Sequence, residues 1–419
     1  MNSSMRGLSK WCMLLGNVFE HYDAALFTLL SPLLAPLFFP NHDPLSAIIL
    51  TYCIIPLGMI ARPLGSLVFG YIGDRKGVQE ALVLSLSGMG IITGGMAFLP
   101  TYQQAGIFAP ILLSLSRILQ NFFAAGETMG GAIYLIENSC ESKKNIMSGL
   151  YGSSTIAGIL LASMAISLLY AFDIAEKGWR YLYFFGSFTA ACVSFLRTKI
   201  AFKKILVDLS AKKSFSSVFS TCLNHYRALI SIAIASGFSY ASYTISLVMM
   251  NSFAPLVAPV SPQHMMHVNT FLLGIDFLLL PLFGFVANHL SRERMMSASG
   301  IFALLTGLPL LWLLEGASLL TIIFIRLIFV IIGIWFSAPF YAWSQTLVPA
   351  SDRYTVISFG YAIGSQILGG PAAAISLWLF QKTGWVGSVG LYWMFLGLIA
   401  SYCISRQTHL CKQYASCLR

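Results

Sequence analysis

Gly16-Asn17-Val18-Phe19-Glu20-His21-Tyr22-Asp23 places two acids and a histidine inside an apolar run from Lys10 to Phe39. About 20 apolar residues suffice to cross a bilayer, so this run is a membrane span. A carboxylate at mid-bilayer depth costs at least ~2.5 kcal/mol, and acids kept there serve to bind a proton or a cargo. Glu20 and Asp23 are three residues apart and share a helix face with Phe27, while His21 lies on another face. Arg6 and Lys10 ahead of the run imitate a secretory leader. The acids within it, and the want of a small-residue cleavage site, make it a retained first helix instead.

The rest of the chain supports a polytopic membrane protein. Its 419 residues are 57% hydrophobic and 10% charged, whereas soluble domains carry about 25% charged residues. Twelve runs can span: residues 10–39, 46–72, 81–99, 107–136, 148–172, 179–196, 228–252, 266–288, 295–314, 318–343, 354–380 and 385–405. The expected fold is all-α, with twelve transmembrane helices in two pseudo-symmetric six-helix bundles. The bundles cover residues 1–196 and 228–405, joined by a basic cytoplasmic linker at 197–227 and followed by a cytoplasmic tail at 406–419.

Placing the N-terminus in the cytoplasm puts nineteen of the 25 Lys and Arg residues inside, Arg197 among them. That bias explains the net charge of +10 without an acidic partner. The basic residues form no stripe interleaved with exposed aromatics, so nucleic acid is not expected. The eight cysteines form no CxxC pair, and neither a metal site nor a cofactor is expected.

The two halves echo each other. Gly70-Tyr-Ile-Gly73-Asp74-Arg75 follows span 2, and Gly284-Phe-Val-Ala287-Asn288-His289 follows span 8, 214 residues later. Arg117 and Arg326 lie 209 residues apart in spans 4 and 10; Tyr151 and Tyr361 lie 210 apart in spans 5 and 11. Near-equal offsets between helices six apart indicate duplication. Paired six-helix repeats around a midplane site are one architecture of secondary transporters.

Gly70, Gly73, Asp74, Arg75 and Gly77 make a tight turn in which Asp74 can face a helix N-terminus, where backbone amides are unpaired. With Arg353 ahead of span 11, these residues are the expected conformational latch. Arg62-Pro63-Leu64-Gly65, Arg117-x-x-Gln120, Gly126-Glu127-x-x-Gly130-Gly131, Pro281-Leu-Phe-Gly284 and Pro349-x-x-x-Arg353-Tyr354 recur in order along the chain. In these motifs, and in the acids of span 1, the chain resembles the major facilitator superfamily. Within it the chain resembles the metabolite:proton symporters, whose cargoes include proline, betaine, 2-oxoglutarate, citrate and shikimate. It departs from their pattern at Val78 and Gln79, at Asn288 and His289, at Asn121 and at Thr346, where charged or glycine residues are usual.

The resemblance implies alternating access in the inner membrane, with both termini cytoplasmic, a small-molecule cargo and a single working chain. The proton is the expected coupling ion, with sodium the alternative. The expected substrate and proton residues are Glu20, Asp23, Arg62, Arg117, Gln120, Glu127 and Arg326. A guanidinium at mid-span needs a carboxylate, from the protein or from the cargo. Asp276 is a weaker candidate partner, and Tyr22, Phe123, Tyr240, Tyr243 and Trp335 could cage a quaternary ammonium. Two other classes stay open. One is a membrane-embedded enzyme, against which no loop gathers catalytic groups. The other is a transporter-like sensor without a cycle.

Overall fold

A computed structural model describes residues 3–39, 44–199 and 217–417. The linker lysines Lys203, Lys204, Lys212 and Lys213 lie outside the described residues. The long helices are α1 Ser3–Phe38, α2 Pro44–Lys76, α3 Val78–Ala97, α4 Phe108–Glu137, α5 Lys144–Ala171 and α6 Ala175–Lys199. They continue with α7 Tyr226–Val257, α8 Pro262–Val286, α9 Arg292–Trp312, α10 Leu319–Ser344, α11 Arg353–Thr383 and α12 Val386–Gln407. Among the described residues, nine of these are long and apolar enough to cross a bilayer. The others, α1, α2 and α6, include the most charged spans. Helix continues from α12 to Cys417, so most of the expected tail is helical. Arg197 and Lys199 close α6 rather than opening a loop, and a short helix, Ser217–Asn224, precedes α7.

Helix starts follow capping chemistry. The hydroxyls of Ser261, Ser291 and Ser318 accept the third backbone N–H of α8, α9 and α10 at 3.2–3.3 Å. Gly77, at φ 107°, makes the turn from α2 into α3, a conformation that side chains resist. Six-residue π-turns, Thr244–Met249 and Gly364–Gly369, interrupt α7 and α11. Such turns shift the hydrogen-bond ladder and free carbonyls for other partners.

The chain forms two compact units. The first holds Met1–Leu135, Ser154–Asn224 and Ala350–Phe359; the second holds Ile136–Ser153, His225–Pro349 and Gly360–Arg419. In the first, α3 packs on α6 through small residues, with Gly90 against Ala190, Gly94 against Ser187, and Ser87 2.5 Å from Ser194. In the second, α9 packs on α12 in the same way, with Gly300 against Gly397 and Ser401 donating to the Ser297 carbonyl at 2.8 Å. These pairs lie six helices apart in the chain. Lipid gives helices no hydrophobic reason to associate, so close approach of small residues supplies the packing. Large apolar side chains such as Ile91, Phe98, Phe188 and Leu320 stay exposed, as a lipid-facing surface allows.

The turn after α2 docks within the first unit. Asp74 lies beyond the apolar part of α2, and its two oxygens accept the N–H groups of Tyr354 and Thr355 at 2.9 and 2.8 Å. These are free donors of the first turn of α11. Gly73 and Gly130 leave room for the Tyr354 ring, whose hydroxyl donates to the Gly126 carbonyl at 2.5 Å. In the second unit the equivalent turn carries the neutral Asn288 in place of an acid. Asn145, at the start of α5, donates to the Ala287 carbonyl and to Asn288 Oδ1 at 2.9 and 3.0 Å, and accepts from Arg292 Nε at 2.5 Å. The uncharged Asn288 therefore still holds a helix start. Gln79 likewise donates to the Arg197 carbonyl at the end of α6, at 2.8 Å.

Burial pushes the Asp74 carboxyl up to about 7, outweighing the amide donors that pull it down. A raised folded-state value means the contact contributes most at acid pH and loses ground as the pH climbs through neutrality. Asp74→Ala is expected to lower stability by ~1–2 kcal/mol at pH 5.5, as the loss of a helix cap does, and by less at pH 8. Thermal unfolding of both proteins at the two pH values measures this.

Candidate functional site

The span-1 acids occupy different surroundings, although they are one helical turn apart. Glu20 is fully buried, accepts from Arg62 Nη2 of α2, and has its other oxygen 2.7 Å from His21 Nδ1. The expected Glu20 site is therefore already charge-paired. Asp23 is equally buried, yet no cation lies within ion-pair distance among the described residues. Its Oδ2 accepts the Thr93 hydroxyl of α3 at 2.7 Å, and its Oδ1 has no hydrogen-bond partner. Gly186 of α6 makes the space that Oδ1 occupies; a Cβ there would press on it.

Thr93 connects Asp23 to the arginine of α4. Gln120 Nε2 donates to Thr93 Oγ1 at 2.9 Å, and Gln120 Oε1 accepts from Arg117 Nη1. The Arg117 guanidinium lies over the Phe27 ring, 4.3 Å from its centroid. The result is a linear relay, Arg117–Gln120–Thr93–Asp23, with donors aligned from cation to anion. Beside it the buried Tyr183 hydroxyl also lacks a partner. An acid with a spare oxygen, a guanidinium without a carboxylate against it and an orphan hydroxyl are groups a proton and a carboxylate could satisfy. Thr93, Tyr183 and Gly186 escaped the sequence reading because a hydroxyl or a glycine in an apolar helix carries no visible cost.

Glu127 belongs to a separate cluster. Arg197 of α6 donates to both of its oxygens at 2.6 Å and to the Cys12 carbonyl at 3.0 Å, and both charged side chains are fully enclosed. Gly16 of α1 leaves the opening through which the pair meets. This is a bidentate lock on α1, α4 and α6, with no open coordination left for a cargo.

In the second unit Arg326 is buried against neutral acceptors. Its Nε donates to the Ser246 carbonyl, within the π-turn of α7, at 3.0 Å, and its Nη2 donates to Asn269 Oδ1 of α8 at 2.7 Å. The expected aromatic cage is dispersed. Tyr22 is buried and donates to the Leu182 carbonyl, Phe123 packs on Phe69 and Phe122, and Trp335 packs on Phe283 and Phe302. Tyr240 and Tyr243 remain together, ring centroids 6.3 Å apart. In the latch, Arg75 is exposed and donates to Tyr71, while Gly70 makes room for Thr355.

The chain is 26% identical over 410 residues to a citrate-proton symporter of Klebsiella pneumoniae, covering 96% of this chain and 92% of that protein. It is 30% identical over 394 residues to an inner membrane metabolite transport protein of Escherichia coli (strain K12), covering 90% and 89%. A putative proline/betaine transporter of Staphylococcus haemolyticus is 25% identical, covering 92% and 84%. Among solved structures, a proton:xylose symporter aligns with a TM-score of 0.73 at 14% identity, covering 97% and 96%. Residues 23–373 match the family model described as Major Facilitator Superfamily. The fold, the repeated small-residue helix pairs and this match over most of the length agree: the chain belongs to the major facilitator superfamily, a family of membrane transporters and not of enzymes.

Proposed function

We propose that the chain is a proton-coupled symporter of a small carboxylate-bearing metabolite, with Asp23 as the proton site and Arg117 as the cargo's anchor. The relay between them carries this reading. With Asp23 ionised, Thr93 donates to it, Gln120 donates to Thr93, and Arg117 is held by Gln120. A proton arriving on the free Oδ1 removes the negative charge that orients the relay. Thr93 then loses its best acceptor, and Arg117 is released to take a carboxylate. Proton and anion thus bind as a neutral sum, the condition for moving charge through an apolar span. Glu20 keeps its charge against Arg62, and the Glu127–Arg197 pair holds the helices that carry the relay. The positive-inside bias supports cytoplasmic termini. Nothing in the proposed cycle calls for a second copy of the chain.

Uptake into proteoliposomes under an imposed pH gradient, compared with a sodium gradient, tests the coupling. Proton-driven accumulation is expected, and accumulation driven by sodium alone overturns it. Binding without any counterflow selects the sensor reading instead. Thr93→Val keeps the shape and removes the hydroxyl. It is expected to lower coupled uptake about tenfold, the worth of roughly one charge-assisted hydrogen bond, while counterflow changes less.

A further inference from the structure

His21 has no part in the proposed cycle, yet the structure brings it to Glu20. Its Nδ1 lies 3.0 Å from the Asn17 carbonyl and 2.7 Å from Glu20 Oε2. A carbonyl and an ionised carboxylate only accept, so Nδ1 carries the hydrogen whether the ring is neutral or charged. The neutral ring is thereby fixed with Nε2 bare, and no described residue bonds Nε2. The carboxylate behind Nδ1–H also balances the charge that the ring gains with a second proton.

Glu20 therefore has two claimants. Arg62 Nη2 donates to Oε1, and His21 stands at Oε2. The contact with Arg62 is single, and Arg62 Nε is buried without a hydrogen-bond partner. Glu20 is fully enclosed, whereas His21 and Arg62 keep 15% and 13% of their side chains exposed. The two nitrogen-bearing side chains thus open outward where the acid between them does not. Other charges are engaged elsewhere. Asp23 is turned to Thr93 of α3 and Gly186 of α6, Arg117 of α4 is held by Gln120, and Glu127 of α4 is taken up by Arg197. On the α5 side, Gly158 lies against the His21 Cβ, Ser154 and Thr155 hold Asn17, and residues 153–167 carry no acid or base. All of these groups belong to the first unit.

We propose that His21 is a pH-sensing positioning residue for Arg62: a proton on Nε2 makes the ring a second cation on Glu20 and loosens the hold on the guanidinium, which then takes an anion. Imidazole is the side chain whose charge ordinarily changes between pH 5 and 8. With the ring neutral, the charges of the three groups cancel and Arg62 is tied. With the ring charged, one carboxylate serves two cations, and a carboxylate from outside completes the balance. Proton and anion then favour each other reciprocally. The inference rests on the transport reading for the nature of that anion, the cargo's carboxylate. It adds a second guanidinium to the cargo's path, offered more freely as the pH falls. Asp23 still carries the proton that is driven across the membrane.

Nitrogen NMR of the full-length protein, isotopically labelled at histidine and arginine, tests this without a cargo. Neutral His21 is expected to hold its proton on Nδ1. As the ring takes its second proton, the Arg62 guanidinium signal is expected to move with the same midpoint. His21→Asn keeps a side-chain N–H near the Nδ1 position and removes the base, so Arg62 should then stay still over that range. In Asp23→Asn the movement should persist, which separates it from protonation of Asp23. A neutral ring protonated on Nε2, or an Arg62 signal indifferent to His21, overturns the proposal. If thermal unfolding shows that His21→Asn fails to fold, the tautomer and the shared midpoint in the unmodified protein decide. Exchange of labelled citrate, L-proline or glycine betaine, at equal pH on both faces, reads the consequence. In Asp23→Asn, the half-saturating concentration of whichever is exchanged should fall at least about fivefold from pH 8 to pH 6, and adding His21→Asn should remove that fall. A fall of the same size in the double variant, or none in either, overturns the proposal. If none of the three is exchanged, the transport reading fails while the nitrogen signals still decide the switch.

Discussion

Asp23→Asn is expected to abolish accumulation driven by a pH gradient while leaving exchange of cargo across the membrane intact. One proton per cargo under a gradient of one pH unit sustains about tenfold accumulation, since a unit is worth ~1.4 kcal/mol. The variant should level off at equal concentrations inside and outside. Asparagine copies the protonated acid in size and, like it, carries no negative charge to orient the Thr93 hydroxyl. The relay therefore stays in its proton-loaded arrangement, and Arg117 remains available to a carboxylate. Counterflow of labelled cargo without a gradient reads the exchange; uptake with a gradient reads the coupling. Gradient-driven accumulation that persists in Asp23→Asn removes Asp23 as the proton site and returns attention to Glu20. Glu20→Gln should behave differently, because it strands Arg62 without its buried counter-charge and lowers folded yield before it alters coupling.

The second large effect is on stability. Arg197→Ala leaves the Glu127 carboxylate enclosed with no cation, and Glu127→Ala strands the Arg197 guanidinium. Either is expected to cost about 3–5 kcal/mol, the range for breaking a buried pair from one side. Replacing both by apolar residues of similar volume, as in Glu127→Leu with Arg197→Met, should recover most of that loss. Thermal unfolding of the detergent-solubilised protein measures all three, and coupling between the two sites appears as non-additivity. Equal losses in the single and double variants would mean that packing, not charge, sets the cost.

Arg197 also shows where sequence reading stops. A count of basic residues by side of the membrane assigns it to a loop, because that count records order along the chain and not depth. The helix continues three residues further than the apolar run, and Arg197 turns back into the bundle to meet Glu127. The twelve spans were legible because apolar length is a local property. The duplication was legible from Arg117 and Arg326, and from the turns ending at Asp74 and Asn288. The separation of Glu20 from Asp23 was not, since it depends on whether Arg62 or Thr93 comes alongside, and that is decided by packing of α2 and α3. Likewise Gln79 and Asn288 read as lost charges, but each makes a neutral hydrogen bond at the position where a charge is usual.

Gly16 gives the lock a hereditary consequence. A methyl group at that position would collide with the ends of both partners of the enclosed pair and force them to shift, so a change at the glycine bears on two residues far away in the chain. Among descendants of this protein, lineages that swap the glycine for a larger residue should be those that have already discarded the arginine and the glutamate.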